Sequence, residues 1–175
     1  CSCQSCLHKA SGIELARKMV DVVDRETRSR MMSGIKGKDT AGEFLIRRAL
    51  HKKGYRYRLH RKDLPGRPDL VLPRHNAVIF VNGCFWHGHD CHLFKWPKTR
   101  PEFWKTKING NVTRDEVTLT KLKKMGWRVC RVWECAVKGK TKRNPEDIAG
   151  SLVQWLGTSN PELEICGDPV DRVNI

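Results

Sequence analysis

Between Gly83 and Phe94 the chain reads GCFWHGHDCHLF. Cys84, His89 and Cys91 are soft metal donors only a few residues apart, and Cys135 ends a later apolar stretch, GWRVCRVWEC. Three thiolates and one imidazole make a closed tetrahedral zinc site, structural because no position is left for water. Buried free cysteines are the alternative, and His92 is a competing ligand. Holding a metal explains neither Phe85 and Trp86 beside the first cysteine nor the histidine after them, His87. Trp104 adds a third aromatic. In a basic chain, exposed aromatics stack on bases or wedge between them. A small hydrophobic cluster beneath the loop is the competing reading.

Two carboxylates extend the chemistry. Asp69 follows GRP at the head of an apolar run, where a sheet edge can fix it. Glu43 stands near the start of a helical stretch, where it also completes a Thr-x-x-Glu capping box with Thr40. A carboxylate, a neighbouring carboxylate or histidine, and Mg²⁺ suffice to cleave a phosphodiester. The cation polarises the phosphate and acidifies water, and an imidazole takes the proton. His87 is the base on this reading.

These groups need elements to hold them. Arg25 to Met32 predicts a short basic helix, and TAGEFLIRRALHKKG a clear one, stopped by Gly54. YRYRLH alternates as a half-buried strand with His60 on its basic face. Further strands are expected around Leu70 to Leu72 and over Ala77 to Val81, separated by a turn at Pro73 to Asn76. TRPEFWKTKINGNVTRDEVTLTKLKKMG predicts two helical pieces, the first capped by Thr99 and Glu102, with a break at Gly110. WRVCRVWE is a strand, and NPEDIAGSLVQWLG a last helix with Asn144 as cap and Pro145 at its first position. The order implies an α/β fold, a mixed sheet with helices on both faces.

The 175 residues suit one domain with a real core. Residues 1–23 are expected to be a flexible extension, 24–157 the working domain and 158–175 an acidic tail. Cys1, Cys3, Cys6 and His8 in the extension are a weakly spaced candidate for a second metal. No run of about 18 apolar residues exists, which excludes a membrane-spanning helix. The opening CSCQSCLHKASG lacks the features of a signal peptide, so reduced thiols and a cytoplasmic setting are expected. Thirty-four Lys and Arg against 19 Asp and Glu give +15. Arg28 to Lys62 holds 12 basic and 2 acidic residues, a phosphate-binding footprint or a well-solvated face.

Longer stretches carry a resemblance. TRSRMMSGIKGKDTAGE, LPGRPDLVL, VIFVNGCFWHGHDCHLFKWPKTRPEFWKTKINGNVTRD and GWRVCRVWECA closely resemble the very short patch repair (Vsr) DNA mismatch endonucleases, over roughly Asp24 to Gly157. The resemblance implies a restriction-endonuclease-like three-layer fold. It also implies a monomeric, Mg²⁺-dependent enzyme that nicks double-stranded DNA 5′ to the thymine of a T·G mismatch, with mismatch-repair proteins as possible partners. Asp69 and the backbone carbonyl of Val81 would hold Mg²⁺, His87 would activate water and Glu43 would orient it. Cys84, His89, Cys91 and Cys135 fall on structural zinc ligands. Phe85, Trp86 and Trp104, with Met32 opposite, fall on aromatics and a wedge that enter the duplex, and Lys107 and Asn111 where the mismatch edge is read. The strand AVIFVNG lacks the Glu-x-Lys of many nucleases on this fold, as the family does. Asn82 stands where some members have a histidine, and asparagine is no comparable acid at neutral pH. The rival readings are a same-fold endonuclease acting on matched DNA and a non-catalytic, zinc-stabilised DNA-binding module.

Overall fold

Leu70, Val71 and Leu72 are all buried, as are Ala77, Val78 and Ile79, because the sheet they build is covered on both faces. The computed structural model describes residues 24–34 and 37–169. Strand β1 (Arg58–Leu59) pairs antiparallel with β2 (Leu70–Leu72), which pairs antiparallel with β3 (Ala77–Asn82). A 3₁₀ turn at Pro73–His75 joins β2 to β3, with Asn76 supplying the left-handed residue (φ 45°) that the tight reversal needs. Strand β4 (Arg128–Trp133) runs parallel to β3, and β5 (Glu162–Ile165) parallel to β4. The spatial order equals the chain order, β1-β2-β3-β4-β5.

Alternate residues divide between two cores, as a period of two requires. On one face Leu70, Leu72, Ile79, Cys130 and Val132 meet helix α2 (Ala41–Lys52) through Ile46 and Leu50, and helix α5 (Pro145–Leu156) through Ile148, Leu152 and Trp155. On the other, Val71, Val78 and Val129 meet Leu122 of helix α3 (Pro101–Lys124). Truncating a fully buried Leu50 or Leu152 to alanine costs about 2–5 kcal/mol. The expected mixed sheet with helices on both faces is observed. Among the described residues no helix is long and apolar enough to cross a membrane.

The capping predictions divide. Thr40 and Glu43 form the reciprocal capping box at α2, and Asn144 caps α5 with Pro145 at its first turn. Helix α1 (Arg25–Ser33) forms where expected, begun by Asp24 accepting the Thr27 N–H at 2.8 Å. Thr99 does not cap α3: Arg100 takes that place in a left-handed conformation (φ 53°), with Pro101 starting the helix. Nor does Gly110 break α3, which runs unbroken for 24 residues. One interior glycine costs about 1 kcal/mol against alanine, less than ending and restarting a helix packed on a sheet. The strand expected over Tyr55 to His60 shrinks to Arg58–Leu59, since β2 offers only three residues for pairing.

The stretch set apart as an acidic tail contains β5. Glu162 and Glu164 alternate with half-buried Leu163 and buried Ile165, and the net negative charge of the segment hid that period. A short helix, α4 (Glu134–Val137), follows β4 directly and was not expected. Cys1, Cys3, Cys6 and His8 lie outside the described residues, as does the side chain of Met32, which belongs to α1.

An ideal Cβ at Gly110 meets nothing within 4 Å. Gly110→Ala should therefore stabilise the protein by about 0.5–1 kcal/mol, raising Tm in thermal unfolding by about 1–4 °C. A loss of stability would mean the helix is not continuous there.

Candidate active site and metal centre

Strand β3 outruns its partner. Pairing with β2 stops at Leu70 opposite Ile79, leaving Phe80, Val81 and Asn82 along the wall of a cleft of about 1120 Å³. Extending that register sets Pro68 opposite Val81, and proline has no N–H to offer the Val81 carbonyl. Asp69 takes over the other half of the exchange: its Oδ2 accepts the Val81 N–H at 2.8 Å. The N–H and C=O of one strand residue point to the same side, so the Val81 carbonyl faces Asp69 too. Burial pushes the Asp69 carboxyl up to about 6, opposed by the Val81 N–H and reinforced by the nearby charge of Glu43.

Glu43, Asp69 and His87 all line this cleft, as do Val81, Asn82 and Trp86. Glu43 is almost fully buried. Its Oε1 accepts from the Thr40 amide and hydroxyl, and its Oε2 from the Asp39 amide and from Arg47 Nη2 at 2.5 Å. Its acceptor positions are therefore engaged within the protein. Arg47 binds Asp39 through Nη1 at 2.6 Å and lies 3.0 Å from His60 Nε2. A guanidinium only donates, so His60 Nε2 is the acceptor and its ring proton sits on Nδ1, 3.8 Å from Asp69 Oδ1.

His87 is held from the opposite wall. Its Nδ1 meets Asp115 Oδ2 of α3 at 2.5 Å, which fixes the proton on Nδ1 and leaves Nε2 with its lone pair. On α3, Trp104, Lys107, Asn111 and Asp115 recur at helical spacing along one side. Asn111 Nδ2 donates to the Trp86 carbonyl at 2.8 Å, while its Oδ1 accepts from Arg114. The loop rests on this helix at Gly88 (φ 62°), where a Cβ would lie 3.1 Å from Ile108.

The three aromatics pack on one another rather than standing apart. Phe85 meets Trp86 and Trp104 edge-on at 5.2 and 5.3 Å, and each ring stays half-buried. Lys107 is exposed and does not line the cleft. Lys38, Lys62, Arg67, Arg131 and Lys138 do line it, giving an anionic polymer a basic wall.

Behind the loop, donor atoms of Cys84, His89, Cys91 and Cys135 lie within 4.8 Å of one another. A tetrahedral zinc ion with bonds of about 2.3 Å sets sulfurs about 3.8 Å apart, so the set fits that ion. Burial raises the Cys84 and Cys135 thiols and lowers His89, which keeps the imidazole neutral and ready to ligate. The Cys135 N–H points at Cys84 Sγ, 3.3 Å away. His92 is turned aside, its Nδ1 3.2 Å from the Thr141 hydroxyl, and Cys130 belongs to the sheet core.

Sequence reading missed His60, Arg47 and Asp115. Asp115 follows Asn111 by four residues, a spacing that puts both against the loop once α3 is known to be continuous. His60 was hidden by its assignment to a strand. It instead leaves the sheet with φ 45°.

A family model for the DNA mismatch endonuclease Vsr matches residues 20–93. The chain is 46% identical over 138 residues to the DNA mismatch endonuclease Vsr of Escherichia coli (strain K12), covering 79% of this chain and 88% of that one. It is 47% identical over 117 residues to a type II nicking enzyme of Xanthomonas oryzae pv. oryzae, covering 67% and 86%. A further type II nicking enzyme, from Neisseria meningitidis, is 42% identical over 122 residues, covering 70% and 87%.

The Asp69 carboxyl rises from 3.8 to about 6 on folding, so the folded state holds that proton more tightly. Stability from this group is present below about pH 4, falls as pH rises to about 6, and stays lost above. Without added Mg²⁺, Asp69→Asn should gain roughly 1–3 kcal/mol at about pH 7.5 and little below about pH 4. Denaturant unfolding at the two pH values checks this. An equal effect at both would place the cost outside the carboxylate charge.

Proposed function

The chain is a member of the Vsr family of DNA mismatch endonucleases, and on that premise we propose that its cleft nicks one DNA strand 5′ to the thymine of a T·G mismatch, the product of 5-methylcytosine deamination. The observation that carries the reading is that Asp69, the Val81 carbonyl and the Nε2 side of an oriented His87 share one basic cleft. Asp69 and the Val81 carbonyl would hold Mg²⁺, a hard ion suited to oxygen donors, which when bound polarises the phosphate and acidifies water. His87 Nε2 takes the proton of the attacking water, and Asp115 keeps the ring in the tautomer that can accept it. Glu43 braces the cleft wall, because its lone pairs already serve α2 and Arg47.

Trp86, Phe85 and Trp104, with Met32 across the duplex, form the wedge, and a wobble pair is cheaper to unstack than a matched one. Asn111 holds the wedge through the Trp86 carbonyl, which leaves Lys107 as the group facing the mismatch edge. Cys84, His89, Cys91 and Cys135 would hold a structural Zn²⁺. In metal-binding peptides such sites contribute on the order of 10 kcal/mol. The sheet order and both helical layers suit a restriction-endonuclease-like fold, with a working domain that runs from residue 24 through β5 rather than ending at 157, acting as a monomer in the cytoplasm.

End-labelled duplexes identical except for T·G, T·A or C·G at one position, in several flanking contexts, test the reading with Mg²⁺ present. A nick beside the thymine of T·G alone is expected. Equal cutting of all three would favour an endonuclease for matched DNA. Asp69→Ala should abolish nicking while DNA binding persists. In single-turnover assays His87→Ala should slow it by about 10²–10⁴-fold, and Asp115→Asn by at least about tenfold. A normal rate for His87→Ala would remove it as the base.

A further inference from the structure

Strand β5 contributes to the wall of the metal centre. The register Val132 opposite Ile165 carries the chain past the end of β4 so that Cys166 and Gly167 arrive beside Cys135. The Gly167 N–H donates to Cys135 Sγ at 3.3 Å. A Cβ at Gly167 would sit 2.5 Å from the Cys135 carbonyl and 2.8 Å from that of Thr141, both backbone, so only glycine permits the approach. Asp168 N–H then donates to the Thr141 carbonyl at 2.9 Å, and the Thr141 hydroxyl to the Cys135 carbonyl at 3.2 Å.

His89 is gripped from the same side. Its Nδ1 faces Cys135 Sγ at 3.7 Å, within the four-donor set, while its Nε2 faces Cys166 Sγ at 3.5 Å. Donor atoms of Glu164 and Cys166 both lie within 4.8 Å of the His89 donor. Trp133 stacks on the His89 ring at 4.1 Å and 11°, and its indole N–H donates to Glu164, which also pairs with Arg131 at 3.2 Å. An imidazole that ligates through Nδ1 must carry its hydrogen on Nε2, and a ligating histidine needs an acceptor there to fix ring and tautomer.

We propose that β5 and the turn after it form the outer shell of the metal centre: Cys166 and Glu164 take the His89 Nε2–H, and the Gly167 amide neutralises charge on the Cys135 sulfur. This rests on reading Cys84, His89, Cys91 and Cys135 as the zinc ligands. Cys166 is then not itself a ligand, and the acidic C-terminal stretch serves metal retention rather than DNA contact.

The test uses the full chain loaded with one metal. Zinc loss to a chromophoric chelator is timed for the parent, Cys166→Ala, Cys166→Ser and Glu164→Gln, with Glu162→Gln on the same strand as control. The Co²⁺-substituted forms give the ligand set by their thiolate charge-transfer bands. Cys166→Ala should lose zinc about 10–100-fold faster. Cys166→Ser, which keeps an acceptor, should recover most of that loss, and Glu162→Gln should match the parent. Glu164→Gln should lie between, and every form should keep the bands of three thiolates. Zinc loss from Cys166→Ala within twofold of the parent would overturn the proposal. So would a parent spectrum of four thiolates that drops to three in Cys166→Ala, which would make Cys166 a ligand. Circular dichroism of the zinc-loaded forms separates metal loss from misfolding, and Cys166→Ser keeps the test decisive if Cys166→Ala is misfolded. A parent that takes up neither zinc nor cobalt would fail the underlying metal reading, whatever the variants do.

Discussion

The parallel ladder between β3 and β4 sets the geometry on which the rest depends. Its six paired residues bring Asn82 level with Trp133, so the two strands end side by side. Cys84 and Cys135 each follow two residues later, and the Cys135 amide meets the Cys84 sulfur. Two chain segments 51 residues apart in sequence are thus brought together by backbone pairing before any side chain acts. The loop carrying Phe85, Trp86 and His87 leaves from that junction. A metal held there would stiffen the loop at its base.

The cleft stores an electrostatic cost. Asp69 is a mostly buried carboxylate whose charged form is disfavoured by its surroundings, and Glu43 adds a second negative charge nearby. A fold selected for stability alone would have no reason to keep them together. Arg47 compensates by binding Asp39 and Glu43 and by fixing His60 between Arg47 and Asp69. Basic residues around the rim complete the balance, and they also suit a phosphate backbone. Like charges held close together, one of them pushed toward neutrality, mark a place where function is expected to oppose stability.

Helix α3 acts as a ruler laid across the loop. Its Asn111 holds the Trp86 carbonyl, its Asp115 orients His87, and its Ile108 receives the loop at Gly88. These contacts are one and two turns apart, so they keep their spacing only if the helix is unbroken. Reading Gly110 as a break separated Trp104 and Lys107 from Asn111 and Asp115, and with that the reason for Asp115 disappeared. Glycine lowers helix propensity by an amount that packing over many residues overrides.

Local signals determined much of this protein. The alternation of the strands, the Thr40–Glu43 box, the Asn144 cap and the donor types at Cys84, His89, Cys91 and Cys135 are properties of neighbouring residues, and so they are visible without a fold. Residue type also marked Asp69 and His87 as candidates, and the long motifs carried the family. Tertiary structure decided how these groups are used. It engaged the lone pairs of Glu43, set His60 beside Asp69 and matched Asp115 with His87. It also turned four residues of an acidic stretch into β5, beside the cysteine–histidine cluster. Each of those outcomes joins atoms from elements distant in sequence, and side-chain hydrogen bonding across such distances follows from packing and strand register, which no local spacing encodes.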